Sequence, residues 1–177
     1  DAAGNVSTSS YSWTTDYTAP VTTFTSSPST LTNIPTANFG VSSSETSTYT
    51  YKLDGTTVAS TNLTSVTEGP HTFVVTATDA AGNVSTSSYS WTTDYTAPVA
   101  SLTRSSVPDV GNSATINVGL SSNESSTYAY RLDGGGLTST GATLTLSGIP
   151  EGSYTLEVRA TDAAGNATAA ATSSAVN

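Results

Sequence analysis

The segment DAAGNVSTSSYSWTTDYTAPV starts at Asp1 and recurs unchanged at Asp79. A shortened echo, DAAGNATAAATSSAVN, starts at Asp162. Self-similarity at about 80 residues is the signature of repeated domains, not of a solenoid whose units are 20–50 residues long. The stretches between the copies also align. TYTYKLDG (Thr48 to Gly55) matches TYAYRLDG (Thr127 to Gly134), and EGPHTFVVTATDAAGN (from Glu68) matches EGSYTLEVRATDAAGN (from Glu151). The chain therefore divides at its TAP tripeptides. Residues 19–96 make a first repeat, 97–177 a second, and 1–18 the last strand and linker of a preceding repeat. Pro20 and Pro98 stiffen the entry to each repeat by fixing φ. With neither an initiator Met nor a leader, the expectation is a piece of a longer chain.

Each repeat reads as strands. Apolar residues alternate at Ala37, Phe39, Val41, at Tyr49, Tyr51, Leu53 and at Phe73, Val75, Ala77. The second repeat does the same at Ile116, Val118, Leu120, at Tyr128, Tyr130, Leu132 and at Leu156, Val158, Ala160. A period of two marks a sheet with one buried face. Turn signals fall between the runs: Asp54-Gly55, Asp133-Gly134, Glu68-Gly69-Pro70, Glu151-Gly152 and Ala81-Gly82-Asn83. About seven short strands per repeat predict an all-β fold, a tandem of immunoglobulin-like β-sandwiches. In the first repeat the expected strands are Val21–Ser26, Thr36–Ser42, Thr48–Leu53, one near Leu63, Thr72–Thr78 and Ser88–Thr93. Tyr154, just before a strand and after a Gly turn, takes the place of a tyrosine corner. His71 stands there in the first repeat. Tyr51, Tyr130 and Trp91 are expected in the cores. The second repeat has Thr172 and Ser174 where the first has Tyr89 and Trp91, so its last strand is thinner.

Composition removes several functions. Ser and Thr supply about 37% of the chain, and 4 Lys+Arg stand against 13 Asp+Glu, a formal charge of −9. So few cations cannot neutralise a phosphate backbone, which excludes a nucleic-acid groove. No apolar run approaches the roughly 18 residues of a membrane-spanning helix. The absence of Cys excludes disulfides, thiolate metal sites and a Cys nucleophile. His71 is the single histidine and has no counterpart in the second repeat, so a Ser-His-Asp hydrolase is not expected. The acids recur with the repeat, as structural residues do. Internal isopeptide or Thr–Gln ester links are not expected either, with one Lys on a solvent face and no Gln.

TAP, a Tyr-rich strand ending in LDG, EGxHTxxVxATDAAGN and WTTDYTAP together resemble the bacterial immunoglobulin-like repeats found in tandem in large secreted and surface-anchored proteins, adhesins above all. The resemblance implies a spacer or adhesive module at the cell surface, with no catalysis, and in several such families calcium bound between repeats.

The acids suggest where an ion would sit. In a sandwich of alternating strand direction the B–C and F–G loops lie at the same end as the N-terminus. Each linker should therefore meet the loops of the repeat that follows. That gathers Asp16, Glu45, Asp79 and Asn83 at one junction and Asp94, Glu124, Asp162 and Asn166 at the next. Ca²⁺ takes six to eight oxygen ligands of this kind, and a divalent cation would cancel their mutual repulsion. The competing reading is that Asp and Asn merely fasten turns by bonding nearby backbone N–H groups.

The expected role is a non-catalytic spacer in a bacterial extracellular stalk or fibre. Its partners would be neighbouring repeats of the same chain and other copies in a fibre. Two rivals are a glycan- or protein-binding module and a polymerising subunit that uses residues 1–18 for strand addition.

Overall fold

The structure is a computed structural model that describes residues 1–103 and 115–168 and the backbone of 104 and 171–176. Among the described residues every regular element is a strand. In chain order these are β1 (Thr22–Ser26), β2 (Leu31–Thr32), β3 (Thr36–Asn38), β4 (Gly40–Ser43), β5 (Ser47–Leu53), β6 (Thr56–Val58), β7 (Asn62–Thr64), β8 (Gly69–Asp79) and β9 (Val84–Thr93). The second repeat adds β10 (Ala100–Arg104), β11 (Thr115–Ser122), β12 (Thr127–Leu132), β13 (Thr138–Thr140), β14 (Thr143–Ser147), β15 (Tyr154–Thr161) and β16 (Ala171–Val176). The sheets are ordered β2-β9-β8-β5-β6, β1-β4 and β3-β7 in the first repeat, then β13-β12-β15-β16 and β10-β11-β14 in the second. This is the immunoglobulin-like β-sandwich that the alternating pattern predicts. Residue contacts divide the chain into two compact units. One comprises Asp1–Ser27, Asn38–Asn62 and Thr72–Ser90; the other comprises Pro28–Ala37, Leu63–His71 and Trp91–Asn177.

The first unit is held by aromatic rings. β8 alternates strictly, so Phe73, Val75 and Ala77 are fully buried. Phe73 stacks on Phe39 with centroids 4.2 Å apart and touches Phe24 and Tyr51 at 6.3 and 5.8 Å. Tyr89 meets Phe24 and Phe39 edge-on at 6.1 and 5.9 Å. Burying a ring of this size stabilises by about 3 kcal/mol, with roughly 1 more for each favourable ring pair. Gly40 lets β1 and β4 approach beside a bulge between Phe24 and Ser26. A Cβ there would run into Thr25 Oγ1 and sit 2.7 Å from Ser26 Oγ.

In the second unit the cluster of Ile116, Val118, Leu120, Leu144, Leu146, Leu156 and Val158 is aliphatic, with Tyr128 and Tyr130 packed against its margin. Trp91 is 3% exposed and lies 5.3 Å from the His71 ring. The Tyr154 hydroxyl donates to Pro150 O at 3.2 Å, while His71 Nε2 lies 2.8 Å from Thr67 O. Both residues thus reach a carbonyl four positions upstream, as a corner residue does.

Several strands differ from the sequence expectation, among them β8, which starts at Gly69 and not at Thr72. The strand expected over 36–42 is split at Phe39, its first half pairing with β7 and its second with β1. The split falls beside the β1 bulge; the second repeat, with a regular register there, keeps β11 whole between β10 and β14. The last strand begins at Val84, not Ser88, because the turn after Asp79 closes at Asn83 and pairing resumes at once. Its counterpart β16 has 6 residues against 10. The side chains of Thr172 and Ser174 lie outside the described residues. A short β2, absent from the sequence reading, pairs in parallel with β9.

Candidate functional site

The DAAGN turn is built from its own residues. In all three copies the Asp Oδ1 accepts the Asn backbone N–H, at 3.0, 2.9 and 2.9 Å for Asp1, Asp79 and Asp162. Oδ2 accepts the Asn Nδ2 at 2.9, 2.8 and 2.8 Å. The Gly of the motif takes φ of 84, 94 and 91°, a left-handed backbone that excludes a side chain at little cost only for glycine. The copy at Asp1 forms the same turn although all five of its residues are exposed. The motif therefore carries its own geometry, as the turn-fastening reading requires.

The second and third copies do something more. Asn83 Nδ2 also donates to Asp16 O at 3.2 Å, and Asn166 Nδ2 to Asp94 O at 2.8 Å. The amide thus hooks the chain segment that precedes each repeat. This presents Asp16 to Glu45 and Asp79, and Asp94 to Glu124 and Asp162. In each triad one carboxylate oxygen per residue lies within 4.8 Å of the others. The structure thus gathers all six predicted carboxylates into two sets. It gives Asn83 and Asn166 the role of clamps, with their nitrogen, a donor, turned to the carboxylates. Asp16 and Glu45 are exposed and Asp79 is buried; Asp94 is half-buried, Glu124 exposed and Asp162 buried.

Hydrogen bonding and repulsion pull the carboxylates in opposite directions. The Asn83 amide, with backbone N–H groups of the turn, holds Asp79 below the ordinary 3.8 despite opposing burial. Burial pushes Asp162 up, but the Asn166 side chain and three backbone N–H groups outweigh it and leave a net lowering. Glu124 is raised above 4.5 by desolvation and then by the negative charges of Asp94, Asp162 and Glu68. Glu68 is the residue that sequence reasoning missed. Its Oε1 accepts the Tyr95 N–H at 3.0 Å, which holds it near the second triad. Its signal was the recurrence of Glu at the head of both EG turns, Glu68 and Glu151.

The profile of the family described as "Bacterial Ig-like domain" matches residues 102–177. This segment is a bacterial Ig-like domain. Among curated proteins, chitinase A1 of Niallia circulans is 35% identical over 130 residues, covering 67% of this chain. The chain spans 18% of that chitinase's length. Among solved structures, the fibronectin(III)-like modules of Clostridium thermocellum CbhA are 12% identical with a TM-score of 0.48, covering 86% of this chain and 91% of theirs. A Ca²⁺-stabilised adhesin by which an Antarctic bacterium binds ice is 23% identical with a TM-score of 0.47, covering 98% of this chain and 54% of its own. In the Ig-like domain at 102–177 the family match takes in Glu124, Asp162 and Asn166. The first repeat carries the same residue types at Glu45, Asp79 and Asn83.

Proposed function

We propose that this chain is a non-catalytic spacer from a bacterial extracellular stalk, built of Ig-like repeats at 19–96 and 97–177 and stiffened by calcium at the two carboxylate triads. One observation carries the reading: the triads Asp16/Glu45/Asp79 and Asp94/Glu124/Asp162 occupy equivalent places, each drawing an acid from the preceding linker. Carboxylates this close repel, and a hard divalent cation with oxygen ligands relieves that repulsion. The Asn clamps keep the linker Asp in place, so an ion would bridge linker and loops. The raised Glu124, pushed up by desolvation and then by the negative charges of Asp94, Asp162 and Glu68, supports the same reading. Low charge density, Cys-free strands and a Ser/Thr-rich surface suit an exposed extracellular position.

The test is thermal unfolding of the whole chain in excess Ca²⁺ and in a chelator. A ligand that binds only the folded form adds about 2.7 kcal/mol at a hundredfold excess over Kd. A rise of several degrees that Asp94→Ala abolishes for the second triad, and Asp16→Ala for the first, is the expected result. Superimposable curves would remove calcium from the account.

A second reading has its own observation. Residues 1–18 repeat 79–96, yet Tyr11 is 84% and Trp13 72% exposed, whereas the matching Trp91 is buried. As the last strand of a preceding repeat the segment would cover both rings. As a donor strand it would pair with another copy. Sedimentation across a concentration series separates the two: a monomer throughout retires strand donation.

A further inference from the structure

The two repeats differ on one face of the β12–β15 pair. In the first repeat Lys52 pairs with Val74 and Thr50 with Thr76. In the second, Arg131 faces Glu157 and Ala129 faces Arg159. Half of the chain's four cations thus stand on one small patch of a protein whose formal charge is −9. The neighbouring edge has also moved. Tyr51 pairs with Val58, but Tyr130 pairs with Thr138, one residue beyond Leu137, the counterpart of Val58. A slip of one residue turns a side chain to the other face. Val58 is half-buried, while Leu137 is 50% exposed. Gly136 replaces the threonine that pairs with Lys52, and nothing lies within 4 Å of where its Cβ would be.

Beside them lies a groove of about 400 Å³ whose lining includes Arg131, Leu137, Glu157, Arg159, Ala167 and Thr168. That lies within the roughly 300–1,000 Å³ of small-ligand sites. Arg131 Nε is ion-paired with Glu157 Oε2. Among the described residues Arg159 has no ion-pair partner, and it is exposed. The groove therefore offers one uncommitted planar guanidinium, a fixed donor–acceptor pair and an apolar side wall.

We propose that this groove binds a saccharide bearing a carboxylate, a uronic-acid unit. A guanidinium recognises a carboxylate through two parallel N–H···O bonds. The Arg131–Glu157 pair presents a donor and an acceptor to vicinal ring hydroxyls, and Leu137 packs against the ring's C–H face. This site is independent of the acidic triads and of the stalk reading.

The experiment is a ¹⁵N NMR titration of the whole chain with a galacturonic acid trisaccharide, run in a chelator so that no ion bridges the carboxylates. The neutral galactose trisaccharide and an acidic hexapeptide are the comparison ligands. The expected result is saturable shifts on β12 and β15 with the uronate alone, weakening as salt rises. Arg159→Thr, which installs the first repeat's residue, should weaken binding by about tenfold or more without moving the unfolding temperature, and Arg159→Lys should restore part of it. Equal binding of the neutral sugar or of the peptide would overturn the proposal. So would unchanged affinity in Arg159→Thr, or shifts confined to other strands.

Discussion

The two repeats reach one sandwich with different cores. The first buries rings: Phe73 lies among Phe24, Phe39 and Tyr51, with Tyr89 edge-on to two of them. The second buries branched aliphatics at the equivalent places, Leu156 for Phe73 and Val118 for Phe39. What both keep unchanged is turn chemistry. Asp54 and Asp133 take φ of 49 and 47°, each followed by a Gly at positive φ, and each accepts a backbone N–H from the strand paired beside it, Thr72 of β8 or Thr155 of β15. The alternating pattern admits any side chains of sufficient total volume, whereas a left-handed turn or a self-bonded Asx loop admits very few.

The comparison would break most visibly at the core. Phe73→Ala should cost the first repeat about 3–5 kcal/mol and Leu156→Ala the second about 2–4, since a ring leaves the larger cavity. Denaturant unfolding followed by tryptophan fluorescence reads the first repeat, which holds Trp91, while the second repeat has no Trp. Circular dichroism reads both. Equal losses would mean that ring stacking adds nothing beyond volume.

Next come the glycines before Val41 and Leu120. A Cβ at Gly40 meets two side chains, one of them at 2.7 Å, whereas at Gly119 the nearest atom is Thr103 O at 3.3 Å. Gly40→Ala should therefore destabilise by about 1–3 kcal/mol and Gly119→Ala by less than about 1, as measured by the same unfolding midpoints.

The acids divide by pH. Asp79 and Asp162 have lowered folded values, so their contribution is present above the unfolded 3.8 and lost as pH falls through the folded value. Melting temperature should drop steeply in that window, and the drop should flatten in Asp79→Asn and Asp162→Asn. Glu124 has the opposite sign. Its folded value is raised, so its favourable contribution is complete below the unfolded 4.5 and is lost as pH rises through the folded value. Glu124→Gln should thus raise the chelator-treated melting temperature at neutral pH, by no more than about 2 °C. The same change should weaken any rise that calcium produces. If it lowers stability in chelator, the repulsion assigned to Asp94, Asp162 and Glu68 is wrong.

Much of this was legible because it is local or periodic. The strands follow from alternation, and the sites of the triads from strand direction and the recurrence of Asp16 with Asp94. Three features were not legible, each because it depends on partners far apart in sequence. β2 has only two residues, too short to show a period, and exists because β9 supplies its hydrogen bonds. The slip at Leu137 depends on how β13 docks on β12. Glu68 reaches its acidic neighbours only through Tyr95, a contact across 27 residues.

The parallel pairing of β2 with β9 has a mechanical consequence. Leu31 and Thr32 lie beside Thr92 and Thr93, and the Thr92 and Asp94 N–H groups donate to Thr30 O and Thr32 O, both at 2.9 Å. A pull on the two ends of the first repeat drags these parallel strands in opposite directions along their length. The hydrogen bonds are then loaded together in shear, where an antiparallel hairpin pulled from its open end would release them one at a time. Tension entering from the exit of the repeat would meet this clamp first.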